Sequence, residues 1–213
     1  MANVFKSRYL IPLLAILLIA VGGLFLSRFA RGSLESYRAM QFAIENDFDA
    51  GNVDVELVQP WMNLRYIAEA YAVPVSYLFD ELGLPLDRKA SRLPIGRLNR
   101  RARLGEIDGK PAIVQNVKAA IRSYRENPVV TGLAEGRVHP WMSVQYIANS
   151  TGVPAATFFD AADIPMEGNA HKPIRWLVDS FEYEPGEEHL MRVFQGVVEE
   201  YGHPGEGTPG DSE

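Results

Sequence analysis

No cysteine occurs anywhere in the chain. That excludes disulfides, thiolate zinc sites, iron–sulfur ligation and cysteine nucleophiles. It leaves the compartment open, because either side of a membrane tolerates a cysteine-free protein. Histidine is scarce as well: four are present, and none of them pairs at His-x3-His spacing. No Ser/His/Asp set, glycine-rich phosphate loop or dinucleotide fingerprint stands in the sequence. No catalytic residue, metal site or cofactor is therefore expected, and the chain reads as a non-enzyme. Strong charge of one sign is also missing. The net charge of −6 is mild, which disfavours a surface built for nucleic acid. No segment shows strand alternation, so the soluble part is expected to be all-α.

One long apolar run is present. Residues 9–26 carry no charge and lie between Arg8 and Arg28. At about 1.5 Å per residue this helix spans about 27 Å, close to a bilayer core of about 30 Å. Arg8 and Arg28 can reach the two interfaces. Pro12 falls in the first turn, where its missing N–H costs little. A cleaved signal peptide would have a shorter apolar core and small residues at its end. Here the run ends in Leu24, Phe25 and Leu26, so residues 1–32 are expected to be an uncleaved single-pass anchor. Basic residues flank it almost equally, and the positive-inside rule assigns no side to the soluble region.

Beyond the anchor the chain repeats itself. Residues 58–86 and 138–166 align without a gap, and 12 of the 29 positions are identical. They include Pro60/Pro140, Trp61/Trp141, Met62/Met142, Tyr66/Tyr146, Ile67/Ile147, Pro74/Pro154, Phe79/Phe159 and Asp80/Asp160. Two of the chain's three tryptophans thus occupy equivalent positions. The match continues weakly, Pro94-Ile95 with Leu98 answering Pro173-Ile174 with Leu177. A duplication organises the chain. We expect a juxtamembrane helix and linker (33–57), helical unit 1 (58–126), a linker (127–137), helical unit 2 (138–201) and a disordered acidic tail (202–213).

Each unit reads as four short helices. Asn63 and Ser143 suit the N-cap of the first, and Met62/Ile67 and Met142/Ile147 have the spacing of a hydrophobic staple. Pro74 and Pro154 open the second helix, Pro94 the third, and the fourth starts near Pro111.

The run 64–82, with its shared Ile-Ala, Tyr, Val-Pro and Phe positions, resembles a helix-turn-helix. It is also similar to the helical pair of a LysM module and to small helical repeats of uncharacterised bacterial membrane proteins. The first resemblance implies a membrane-bound DNA-binding regulator. The second implies an outward-facing cell-wall binder. The third implies a membrane protein of no stated activity.

Two surfaces are candidates for binding. Trp61, Tyr66, Trp141 and Tyr146 sit at matched positions, suiting either bivalent recognition or a core role. Arg97, Arg100 and Arg101 share one helical face within residues 87–125, where eleven Lys or Arg meet three acids, a local charge of +8. Residues 155–213 hold thirteen acids against three bases, a local charge of −10. The basic stretch can therefore meet the membrane lipid bilayer, the acidic second unit or an acidic partner, with nucleic acid ranked behind these. Asp80, Glu81 and Asp160 lie on the would-be recognition helices and would face phosphates, which disfavours DNA. The expectation is a membrane-tethered adaptor whose paired units bind a protein partner.

Overall fold

The computed structural model describes residues 53–201. The expected anchor, most of the juxtamembrane segment and the acidic tail lie outside the described residues. No helix among the described residues is long and apolar enough to cross a membrane.

The first repeat begins with a 3-10 turn, Val55–Leu57, and continues with α1 (Leu64–Tyr71), α2 (Val75–Glu81) and α3 (Ile95–Ala102). A short hairpin, β1 (Glu106–Ile107) with β2 (Lys110–Pro111), leads into α4 (Ala112–Glu126). The second repeat holds α5 (Val144–Thr151), α6 (Ala155–Ala162), α7 (Ile174–Ser180) and α8 (Glu187–Tyr201). The described residues are mostly helical, and each repeat carries four helices in the same order.

The repeated motif explains the repeated local structure. Asn63 Oδ1 accepts from Tyr66 N–H at 2.8 Å, and Ser143 Oγ accepts from Tyr146 N–H at 3.2 Å. Each side chain thereby satisfies one amide at a helix start. Met62 and Ile67 are buried beneath the first cap, Met142 and Ile147 beneath the second. The Pro-Trp-Met loops are then clipped by the third helices. Ile95 N–H donates to Met62 O at 2.7 Å and Gly96 N–H to Pro60 O at 2.9 Å. In the second repeat, Ile174 N–H donates to Met142 O at 2.9 Å and Arg175 N–H to Pro140 O at 3.2 Å. One backbone clip, made twice, holds three helices around each loop.

The two copies differ in how they turn from first helix to second. Gly152 adopts φ 77°, a conformation glycine takes freely, and Val130 Cγ2 lies 3.2 Å from where a Cβ would stand. Ala72 adopts φ 50° at the equivalent position, with a steric cost the second repeat avoids.

The hairpin corrects the expectation that no strand is present. Asp108 at φ 52° and Gly109 at φ 71° both lie in the left-handed region, as a two-residue primed turn requires. Each strand is two residues long, too short to show alternation. The Asp108-Gly109 dipeptide is the signal that marks it. Buried Asn99 fastens this hairpin between α3 and α4: its Nδ2 donates to Gly105 O at 2.8 Å, and its Oδ1 accepts from Ile113 N–H at 3.0 Å. The corresponding place in α7 is Val178, and no hairpin follows it.

Both repeats belong to one compact unit. In the first, Leu64, Ile67, Leu78, Phe79, Ile95, Ile113 and Ile121 form the core. In the second, Phe158 of α6 meets Phe194 of α8 edge-on at 5.5 Å, as aromatic quadrupoles favour. Glu56 ties the amino-terminal turn to α4 by pairing with Lys118 at 2.8 Å and with Arg122. Hydrogen bonding to Lys118 holds its carboxyl below the usual range.

Candidate functional site

The repeats meet along a seam lined by tyrosines. Tyr146 is 1 % exposed and lies against the start of α2, its hydroxyl oxygen 3.5 Å from Val75 N. Tyr124 of α4 donates its hydroxyl to Asn149 O at 3.2 Å and meets Tyr77 edge-on at 5.1 Å. Asn149 Nδ2 donates to Ala72 O at 2.7 Å. The linker closes one side, Ser76 Oγ lying 2.7 Å from Thr131 Oγ1. Thr131 and Gly132 both donate their amides to Ser150 O.

Tyrosine ionisation probes this seam. Burial pushes the Tyr124 phenol to about 12 and raises that of Tyr146. A tyrosine in the unfolded chain ionises near 10. The folded state therefore keeps protons that the unfolded state loses, and its stability is complete below about pH 10. We expect the denaturation midpoint to fall as pH rises from about 10 through 12. The fall should shrink in Tyr124→Phe. Urea midpoints measured across that range check this, and a flat profile would contradict the buried seam.

At one end of the seam lies an open cleft of about 410 Å³, solvent-facing space included. Val75, Met142, Trp141 and Tyr146 give it an apolar floor, and Arg65, Arg88 and Glu135 supply charge. Arg65 extends from α1 of the first repeat over the Trp141 ring of the second, its Cζ 4.6 Å from the ring centroid. A guanidinium held this way combines cation–π attraction with burial of its stem. Burial, then the nearby Arg92, lowers its pKa from the ordinary value, and Glu69 and Glu135 oppose that shift. Glu135 in the linker pairs with Arg88 at 3.5 Å, and its other oxygen lies 2.7 Å from His139 Nε2. The His139 ring stacks beside Trp141 with centroids 6.5 Å apart. Burial lowers the His139 pKa from its ordinary value, and Glu135 opposes that shift.

The four aromatic candidates separate into two pairs. Trp141 and Tyr146 lie 5.2 Å apart at the repeat junction, both buried. Trp61 and Tyr66 lie 5.7 Å apart on the first repeat, both half-buried, and they do not line the cleft. Arg97, Arg100 and Arg101 are exposed on α3 and form no ion pair among the described residues. No ion pair among those residues joins the basic stretch to an acid of the second repeat. Arg65, Arg88, Glu135 and Asn149 were not singled out from sequence. A signal existed in the divergence of the copies. Arg65 and Glu69, one helical turn apart, stand where the second repeat has Gln145 and Asn149. Opposed faces of one junction need different chemistry. No three His, Asp or Glu side chains converge as a metal site among the described residues.

Comparison with protein-family models, with curated proteins and with solved structures returns no match.

Proposed function

We propose that this chain is a membrane-tethered, non-enzymatic interaction module, and that a segment of a protein partner seats in the cleft at the repeat junction. The observation that carries this reading is Arg65 stacked on Trp141 above an apolar floor, with Glu135 and Arg88 at the rim. Arginine and aromatic side chains are the commonest anchors of protein recognition, and the half-buried Arg65 keeps part of its guanidinium open to a partner. Asp80, Glu81 and Asp160 are exposed, which weighs against phosphate contact by α2 or α6. The tether is supported by residues 9–26, uncharged over a bilayer-length run.

Leu86 stands exposed at the cleft wall, so a photo-crosslinking residue placed there reports on the occupant. In native membranes it should give a discrete protein adduct that Arg65→Ala removes. A probe at Asp160, away from the cleft, should give none. Equal labelling at both positions would refute the cleft. Extraction of the chain by alkaline carbonate would refute the tether.

A further inference from the structure

We infer that the exposed basic face of α3 and its hairpin docks on an anionic lipid surface, holding the module against the bilayer that tethers it. Arg97, Arg100 and Arg101 project from one side of α3, since residues three and four apart share a helix face. The opposite side of the helix, Ile95, Leu98 and Asn99, is buried. Arg103 and Lys110 continue the exposed charge toward the hairpin. None of these five cations pairs with an acid among the described residues. The acids on the same rim are Glu106 and Asp108, leaving a net of about +3. Ile107 lies between them, an exposed apolar side chain at the edge of a basic surface. That combination suits a headgroup layer: charge meets lipid phosphate while the apolar group enters the interface. Asn99 holds the hairpin to both helices, so the surface is presented rigidly.

A soluble polyanion fits less well. The whole chain carries −6, with acid concentrated after residue 155. A free polyanion meets that excess with no tether to offset it. A tethered module meets the bilayer at high effective concentration and can turn its basic side inward. Each net basic charge near an anionic surface is worth about fivefold in population, so three favour the docked state by roughly a hundredfold at low salt. The inference rests on the proposed tether.

The absence of cysteine gives a clean test. The full chain carrying Ile107→Cys is labelled with an environment-sensitive fluorophore and reconstituted into vesicles of phosphatidylcholine, alone or mixed with phosphatidylglycerol. Both leaflets have the same composition, so orientation does not matter. With phosphatidylglycerol, emission should shift blue and energy transfer to a headgroup acceptor should rise. High salt should reverse both changes. Arg97→Glu, Arg100→Glu and Arg101→Glu together should abolish them, and a label at Ala161→Cys should not respond. Identical signals in the two vesicle types overturn the proposal. So does a response that appears only when duplex DNA is added. Should the chain fail to float with neutral vesicles, the tether reading fails. Flotation of that untethered chain with the phosphatidylglycerol vesicles, lost in the triple variant, would then decide the surface on its own.

Discussion

Trp141→Ala should cost about 3–5 kcal/mol of folding stability, the range for truncating a buried large aromatic. Trp61→Ala should cost less than half of that, although the two residues are equivalent by duplication. The difference is burial. Trp141 is 6 % exposed, with the Arg65 guanidinium over one part of its ring and Tyr146 5.2 Å away. Its removal opens a cavity at the junction and strips Arg65 of its platform. Trp61 is half-buried, so less apolar surface returns to water when it is lost. Urea denaturation of the full chain in a mild detergent measures both values. Equal costs would show that the junction adds nothing to Trp141.

Tyr146→Ala should be comparably severe, again about 3–5 kcal/mol. It should also lower the stability of both repeats together. Tyr146 packs within its own repeat and also against α2 of the first, its hydroxyl 3.5 Å from Val75 N. Around it, Tyr124, Asn149 and Ala72 join the copies by hydrogen bonds at 3.2 and 2.7 Å. Separate probes in the two repeats should therefore report one coincident transition, before and after substitution. Tyr146→Phe should cost about 1–2 kcal/mol, because the contact to Val75 N is long at 3.5 Å but the buried Ser150 loses a hydrogen-bond partner. Two separate transitions in the unmodified chain would refute the shared seam.

The exposure of two matched tyrosines supports the same view. Tyr124 lies in the last turn of α4 and is 3 % exposed, whereas Tyr201 ends α8 and is 49 % exposed. Tyr124 is covered because the second repeat packs over it. Tyr201 has no such neighbour among the described residues.

Much of this was legible in the sequence. The Asn63 and Ser143 caps, the Pro74 and Pro154 turns and the Met–Ile staples are set by contacts within a few residues. Spacing and residue type suffice for those. The four-helix order of each copy follows from the same local signals. The basic character of α3 was equally plain, since charge at three- and four-residue spacing needs no tertiary knowledge to be placed on one face.

Sequence by itself could not tell Trp61 from Trp141. Their local motifs are the same, and only the partner surface differs. The packing of repeat upon repeat buried one and left the other half-exposed. That packing also brought Arg65 from α1 over Trp141, some 76 positions along the chain, and closed the cleft with Glu135 from the linker. It left Arg97, Arg100 and Arg101 without acidic partners, though the sequence carried enough acid to neutralise them. Local structure answers to neighbours in sequence. The junction answers to shape complementarity between two diverged surfaces, which no window of residues contains.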